Sequence, residues 1–299
     1  MKKEVKVGIV GGVGNQLFQY YAGAYLSILN SCDLSLDFSN LYQFGTKHES
    51  SLEYVNLPIE YERVNSQSNL GKNQMWRLHQ KITRENMVLS LMSTKFLKIY
   101  QSDVIGFDPN INLLKAPIHI RGYYQTWKYF DFVSKSCENV PTLKSESNWF
   151  KEMSAILQKE NFIGIHVRRG DYLNLQENFG ILGIDYYKKA IDYLGFKRDA
   201  SKVIVFSDDI DLARNLFKDD SFHFIKQPKD SNSVESLFLM SKLSKLVIAN
   251  SSFSWWAAKL GNQNKQVVTP KTWFKIGNQP RDLTPENWFK VESQWDCFK

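Results

Sequence analysis

Two adjacent arginines give the sequence its clearest chemical signal. They lie in Gly164–Tyr172, GIHVRRGDY, directly after a predicted buried strand. Neighbouring guanidinium groups repel each other unless an anion lies beside them, and their planar forks match the oxygens of a phosphate. Arg168 and Arg169 therefore indicate a diphosphate site, with a salt-bridged strand end as the structural alternative. Asp171 could orient an arginine or act on a hydroxyl group.

A second predicted strand runs into carboxylates in Val203–Asp211, VIVFSDDID. Acidic residues at this position cap the free N–H groups of a following helix, and they can also accept hydrogen bonds from guanine. Asp208 and Asp209 are the candidates for these two roles. The D-x-D spacing of Asp209 and Asp211 is also found in metal-dependent sugar transferases. Helix capping, base recognition and metal binding all stay open here.

A third strand end is rich in hydroxyl groups, in Leu246–Gly261, LVIANSSFSWWAAKLG. Hydroxyl and backbone N–H groups at a helix start form an anion pocket. The alternative is a serine that caps a buried helix. Trp255 and Trp256 cannot both point the same way on a helix, so we expect at least one of them in the core.

The glycines of residues 7 to 19, VGIVGGVGNQLFQ, resemble the start of a dinucleotide-binding unit. That fingerprint needs a third glycine, where this chain has Leu17, although Asp37 could supply the acidic residue that follows. A glycine turn at a helix N-terminus still favours anions or hydroxyl groups. Asn15 lies there with a donor and an acceptor on one side chain, or serves as the N-cap.

Hydrophobic periodicity predicts the elements that position these residues. In the second half, buried strands alternate with amphipathic helices, which is typical of a parallel, doubly wound sheet. The predicted strands are Phe162–Val167, Val203–Phe206, Phe222–Ile225, Leu246–Ala249 and Gln266–Val268. The predicted helices are Asp185–Leu194, Leu212–Phe217, Val234–Leu243 and Ser252–Leu260.

The first half begins in the same way. Strands are predicted at Val5–Val10, Leu34–Phe38 and Ile118–Tyr123, and helices at Asn15–Leu29, Met75–Met92 and Ser147–Gln158. The pattern predicts two α/β domains, residues 1–150 and 151–299. If the two sheets face each other, a cleft lies between their carboxyl ends, where ligands bind in this architecture.

Composition narrows the class of protein. The formal net charge of +7 suits an anionic partner, but there is no lysine and arginine run of the kind that binds nucleic acid. The three cysteines form no CxxC pair, so neither a disulfide framework nor a zinc site is expected. No apolar run is long enough to span a bilayer. We expect a cytoplasmic protein, with peripheral contact at the inner face of the membrane left open.

Six stretches together resemble the bacterial α-1,2-fucosyltransferases, glycosyltransferase family eleven. They occur in the family's order over nearly the whole chain, and the small departures, Val13 and Ala257, touch no polar group. The stretches are Gly11–Tyr20, Gly122–Phe130, His166–Tyr172, Phe206–Asp209, Asn250–Trp256, and Trp273-Phe274 with Asp282–Trp288.

The resemblance implies a GT-B-like fold of two facing Rossmann-like domains. The first would lie on the acceptor side, the second would bind GDP-fucose, and the last helix would pack back on the first. The implied reaction is inverting transfer of L-fucose to O2 of a galactoside, without metal or cofactor. The implied acceptor is a galactose-terminated oligosaccharide, lipid-linked if the pathway makes O-antigen.

The resemblance also implies roles for single residues. Arg168 would hold the leaving β-phosphate, and Asp171 is the candidate general base. Asn15 would reach the fucose or phosphate of the donor. The remaining implied donor contacts are His166, Arg169, Asp208 or Asp209, Ser251, Ser252 and Phe253.

Two other classes of protein compete with this interpretation. The first glycines favour a nicotinamide oxidoreductase, although Leu17 and the arginines of the second half argue against it. The 8 Trp, 14 Tyr and 20 Phe residues favour a non-catalytic sugar-binding protein. That class leaves the paired arginines and the serine-rich helix start unexplained.

Overall fold

The computed structural model describes most of the chain, and the chain divides into two compact units. The predicted helix Met75–Met92 and Cys297 lie outside the described residues, as does the side chain of Asp171. The described ranges are 2–41, 50–65, 95, 98–198, 200–229, 231–262 and 264–296.

The first unit comprises Met1–Glu53, Leu57–Pro141 and Pro280–Leu283. It contains a five-stranded parallel sheet in the order β4-β2-β1-β6-β5. Its strands are β1 (Glu4–Gly8), β2 (Asp33–Asp37), β4 (Glu62–Val64), β5 (Ile99–Gln101) and β6 (Ile118–Arg121). Its described α-helices are α1 (Val13–Asn30) and α2 (Trp127–Cys137).

Helix α1 begins two residues earlier than the hydrophobic pattern predicts. Gly12 is the N-cap, so Asn15 lies in the first helical turn, and the interpretation of Asn15 as the N-cap is wrong. The glycines at positions 11, 12 and 14 hide this start, because glycine has a low helix propensity. Two polar side chains in the first turns are also buried, although a periodicity argument assigns them to the surface. Gln16 and Gln19 are both fully buried.

The second unit comprises Tyr54–Asn56, Thr142–Gln279 and Thr284–Lys299. Its parallel six-stranded sheet has the order β11-β10-β8-β12-β13-β14. These strands are β8 (Phe162–Val167), β10 (Lys202–Ser207), β11 (Phe222–Phe224), β12 (Lys245–Val247), β13 (Gln266–Pro270) and β14 (Phe289–Val291). Two small antiparallel pairs add β3 (Val55–Asn56) with β7 (Thr142–Leu143), and β9 (Ile181–Leu182) with β15 (Trp295–Asp296).

The bounds of the helices in the second unit agree with the predicted bounds to within two residues at each end. They are α3 (Asn148–Lys159), α4 (Ile184–Tyr193), α5 (Ile210–Leu216), α6 (Ser233–Ser241) and α7 (Ser252–Lys259). Trp255 and Trp256 are both fully buried. The expected last helix is replaced: after α7 the described chain forms strands and irregular segments, and the irregular stretch Pro280–Leu283 belongs to the first unit. No helix among the described residues is long and apolar enough to cross a membrane.

Each sheet has a point where the strand order reverses. In the second unit, β10 and β11 lie on one side of β8, whereas β12, β13 and β14 lie on the other. The connections that follow β8 and β12 leave in opposite directions, which opens a crevice at the carboxyl ends of these strands. In the first unit the same arrangement occurs at β1 and β6, because β2 and β4 lie on the other side of β1.

One buried lysine connects the ends of two helices in the second unit. Lys265 is 5% exposed, and its Nζ donates hydrogen bonds of 2.8 Å to the carbonyl oxygens of Ser241, Ala257 and Leu260. These carbonyls lie at or near the ends of α6 and α7, where intrahelical partners are missing. One side chain therefore satisfies the ends of two helices.

We expect Lys265→Met to lower the free energy of unfolding by about 2–4 kcal/mol, because three buried carbonyls lose their partner. Urea unfolding followed by tryptophan fluorescence measures the change. Lys290→Met is the matched control, since Lys290 is exposed on β14, and it should stay within about 0.5 kcal/mol of the wild type. Equal midpoints for the two variants would contradict the bridging role.

Candidate active site

The ends of β8 and β10 are joined by Asp208. Its Oδ1 accepts a hydrogen bond of 2.8 Å from the backbone N–H of Arg169, and its Oδ2 lies 3.3 Å from Nη1 of Arg168. The Arg168 guanidinium also lies over the ring of Tyr172, 5.2 Å from the ring centroid. The Arg168 side chain remains 23% exposed. It is therefore held in place on two sides and is still accessible to a ligand.

Arg169 points elsewhere. Its side chain is 1% exposed, and its Nη2 donates a 2.8 Å hydrogen bond to the carbonyl of Leu182 in β9. The same nitrogen lies 3.6 Å from a carboxylate oxygen of Asp296 in β15. The side chains of the two neighbouring arginines therefore point in different directions. Arg168 stays accessible at the end of β8, and Arg169 is buried against β9. The sequence pattern alone had predicted that both arginines lie at one diphosphate site.

The closeness of Asp208 explains why residue 170 is a glycine. A Cβ atom built on Gly170 would lie 2.4 Å from Oδ2 of Asp208, far inside van der Waals contact. A side chain at this position would push away the carboxylate that holds Arg168. The next residue, Asp171, begins a short 3-10 helix, Asp171–Leu175.

Asp209 caps a helix, which is one of the three roles that the sequence left open for this acidic stretch. It is the N-cap of α5, and its Oδ1 accepts a 2.9 Å hydrogen bond from the backbone N–H of Leu212. Capping an N-terminus in this way satisfies a helix donor and places negative charge at the positive end of the dipole. Of the residues that the structure describes, no three His, Cys, Asp or Glu side chains are grouped so that they could hold a metal ion.

His166 lies on the opposite face of β8 from the hydrophobic core. Ile165 and Val167 pack in that core, whereas His166 stacks on Phe253 of α7, with ring centroids 5.5 Å apart. Burial, with a smaller contribution from the charge of Arg168, lowers the pKa of His166 to about 3. The imidazole is therefore neutral, and its buried Nδ1 has no hydrogen-bond partner among the described residues.

The serine-rich loop after β12 completes this strand edge. The side-chain amide of Asn250 donates to the carbonyls of Phe179, Gly180 and Trp273, which fixes the loop. Ser251 is the N-cap of α7, but its side chain makes no capping hydrogen bond. The capping alternative therefore does not account for the Ser251 hydroxyl. Ser252 and Phe253 are partly exposed at the start of α7.

The ends of β10, β8 and β12 thus bring together most of the predicted site residues. Tyr172 strengthens the connection, because its hydroxyl donates a 3.0 Å hydrogen bond to the carbonyl of Asn250. The residues at this edge are His166, Arg168, Asp208, Ser251, Ser252 and Phe253.

The first unit has its own polar cluster at the glycine turn, and the sequence pattern missed most of it. The amide of Gln16 donates to the carbonyl of Gly11, and Oε1 of Gln19 accepts from the backbone N–H of Val10. The Gln19 amide also donates to the carbonyl of Gly122, which follows β6. Both glutamines lie within the motif Gly11–Tyr20, and Gln19 bonds to the first residue of the motif Gly122–Phe130. Their place in these motifs was the available signal.

The family can now be assigned by comparison. The sequence profile described as "Glycosyl transferase family 11" matches residues 75–292. The chain belongs to this family. The resemblance seen in the six motifs is confirmed, this family 11 protein is a glycosyltransferase, and the oxidoreductase alternative is not favoured.

Two bacterial relatives extend over nearly the whole family 11 chain. The O-antigen biosynthesis glycosyltransferase WbnK of Escherichia coli is 28% identical over 298 residues, covering 91% of this chain and 95% of the relative. An alpha-1,2-colitosyltransferase of Escherichia coli is 28% identical over 274 residues, covering 89% of this chain and 91% of the relative.

A solved structure agrees on the fold. A mutant of Arabidopsis thaliana FUT1 in complex with GDP has a TM-score of 0.50 and 14% sequence identity, covering 87% of this chain and 69% of that one. At this identity the likeness concerns the fold alone. The expected GT-B-like α/β class, with two parallel-sheet units, is confirmed.

The buried neutral His166 predicts a pH dependence of stability. Its folded-state pKa lies well below the ordinary value of about 6.5, so the unfolded chain binds an extra proton as the pH falls below about 6.5. Stability from the neutral imidazole is present above that pH and is lost towards pH 3. Compared with the wild type, His166→Gln should lose about 1.4 kcal/mol less per pH unit between about pH 6 and pH 4.

Urea unfolding at several pH values measures this slope. His223→Gln is the control, because His223 is exposed on β11. Identical slopes for His166→Gln and the wild type would show that the imidazole is not held neutral.

Proposed function

We propose that this enzyme is a galactoside 2-alpha-L-fucosyltransferase, which transfers L-fucose from GDP-fucose to O2 of a galactoside during synthesis of O-antigen or another surface glycan. The observation that carries the proposal is the convergence of Arg168, the His166–Phe253 stack and the serine-rich start of α7 at one strand edge. The motif resemblance and the two bacterial relatives support it.

We assign the nucleotide diphosphate to the crevice between β8 and β12. Arg168 would hold the β-phosphate, and the hydroxyls of Ser251 and Ser252 with the N–H groups at the start of α7 would line the pyrophosphate pocket. His166 and Phe253 would lie against the guanosine. Asp208 is the better carboxylate for guanine recognition, because Asp209 caps a helix, whereas the Asp208 side chain is 21% exposed and each of its oxygens can accept a second hydrogen bond.

The burial of Arg169 favours a supporting role over direct contact with the donor. Its side chain ties β8 to the carbonyl of Leu182, and its backbone N–H binds Asp208. In this proposal Arg169 fixes the backbone from which Arg168 projects. Both arginines are then needed, one for chemistry and one for placement.

The reaction follows from how charge develops. The bond between C1 of fucose and the β-phosphate oxygen breaks, and its electron pair stays on GDP. Arg168 stabilises that growing negative charge, which is a large electrostatic contribution when the cation is held in advance. O2 of the acceptor forms the new bond to C1 from the opposite face and inverts the configuration. Its proton passes to a base, for which Asp171 is our candidate.

We assign the first unit to the acceptor side and the second unit to donor binding, with the boundary after Pro141 in place of the residue 150 expected from the sequence. Asn15 would contribute to binding of the donor's fucose or phosphate. A galactose-terminated oligosaccharide is the proposed acceptor, lipid-linked when the product is O-antigen. The net charge of +7 supports peripheral contact of a cytoplasmic enzyme with an anionic membrane surface.

A second donor sugar is favoured by one comparison. The chain is equally identical, at 28%, to the alpha-1,2-colitosyltransferase and to WbnK. Colitose is fucose without its 3-hydroxyl group, so both sugars have the same ring hand and the same leaving group. The choice between GDP-fucose and GDP-colitose therefore depends on contacts to that hydroxyl.

The direct test offers each donor to a panel of galactosides in excess EDTA, with the product linkage determined by NMR. We expect an α-1,2-linked fucoside, formed without added metal because Arg168 stabilises the negative charge that develops on the leaving phosphate. A product formed from GDP-colitose alone would assign the second donor. Loss of transfer in EDTA that manganese restores would support metal binding by Asp209 and Asp211. Reduction of a substrate with NADH would contradict the proposal.

The two arginines should differ when each is changed to lysine. Arg168→Lys should lower kcat by about 10²–10³-fold, because a single ammonium cannot replace the fork on the phosphate. Its melting temperature should stay close to that of the wild type. Arg169→Lys is the matched comparison, and it should lower the melting temperature, since Arg169 is buried and bonded to Leu182. Near-normal turnover by Arg168→Lys and Arg168→Ala would overturn the leaving-group role.

A further inference from the structure

Two carboxamides meet at the point where the strand order of the first sheet reverses. Asn15 lies in the first turn of α1, after β1, and Gln125 follows β6. Nε2 of Gln125 donates a 2.9 Å hydrogen bond to Oδ1 of Asn15. Gln125 is 7% exposed, and its backbone N–H is bonded to the carbonyl of Ile105. The contact thus joins a partly exposed amide to a rigid, buried one.

This contact fixes which end of the Asn15 amide is available. A carboxamide has an accepting oxygen and a donating NH₂ group, and here the oxygen is occupied by Gln125. The NH₂ group lies beside Gly11, where a Cβ atom would come within 2.7 Å of Nδ2. Gly11 also has a φ of 77°, a conformation that favours glycine. The turn therefore leaves space for the donor end of Asn15.

We propose that Gln125 is a positioning residue that orients Asn15 so that its NH₂ group donates to an oxygen of the bound sugar phosphate. This inference rests on the proposed function and adds a residue to it. The bond from Nε2 of Gln125 determines the direction of the Asn15 amide, while Oε1 of Gln125 is left as an acceptor for the same ligand.

Two observations at the same place indicate a ligand. Oε1 of Gln125 is buried and has no hydrogen-bond partner among the described residues, which is costly unless a donor arrives. The first turn of α1, an 18-residue helix, contains no acidic side chain. A hydroxylated, negatively charged molecule satisfies both features, because a sugar hydroxyl donates to Oε1 while an oxygen accepts from Asn15 and from the helix N-terminus.

The test uses variants that separate direction from packing. Asn15→Asp keeps an oxygen for Gln125 but removes the NH₂ group, and Gln125→Glu keeps size but cannot donate to Asn15. We expect each to lower kcat by about 10–100-fold, in line with the cost of small misplacements at a reacting centre. Gln125→Leu should have a similar effect, and adding it to Asn15→Ala should cause little further loss, because the two residues act as a unit.

Asn30→Leu is the matched control. Asn30 lies at the other end of α1, where its amide bonds the carbonyls of Leu26 and Leu114 and the N–H of Ala116. This variant should lower the melting temperature and leave kcat unchanged. A purely structural role for Gln125 would give the same pattern.

The outcomes distinguish this inference from the proposed function. Absence of transfer by the wild type with either donor would contradict the proposed function itself. With an active wild type, near-normal kcat for Asn15→Asp or Gln125→Glu would overturn the positioning role. Losses that multiply in the double variant would also overturn it. If Gln125→Leu fails to fold, as judged by circular dichroism, Gln125→Glu still decides, since it keeps the size of the side chain and removes only the donor to Asn15.

Discussion

The carboxylate of Asp208 is the contact on which the rest of the site depends. It holds the backbone after β8 through the N–H of Arg169 and the side chain of Arg168 through an ion pair. Both contacts need the carboxylate to sit against Gly170, which has no side chain to displace it. One acidic group thus aligns two parallel strand ends and presents a cation at their edge.

The same edge combines the Arg168–Asp208 ion pair with a neutral imidazole. His166 carries no charge because it is buried, so it adds polarity beside Arg168 without adding repulsion. Phe253 supplies a flat apolar face on the other side of the imidazole. A low-dielectric environment strengthens the field of the one accessible arginine at the place where a phosphate would lie. In the proposed mechanism, such an environment would increase the stabilisation that a fixed cation gives to the leaving phosphate.

Much of this could be predicted from the sequence because it depends on local pattern. Alternation along β8 separates His166 from the core-facing Ile165 and Val167, and Asp209 caps the helix that follows it, as acidic residues at that position often do. The direction of Arg169 could not be predicted, because its partners Leu182 and Asp296 are distant in sequence. The buried glutamines of α1 were missed for the same reason: their partners lie after β6 and near residue 51.

The stretch Pro280–Leu283 has a consequence for how the enzyme could be divided or recombined. It belongs to the first unit, where the carbonyl of Asp282 accepts from Thr126 and its carboxylate pairs with Lys128. The chain therefore contributes a late segment to the first unit after most of the second unit has been formed. A chimera with a single junction near residue 141 would join the first unit of one parent to the segment 280–283 of the other parent. An exchange of the two units between relatives therefore needs Pro280–Leu283 to come from the same parent as the N-terminal part.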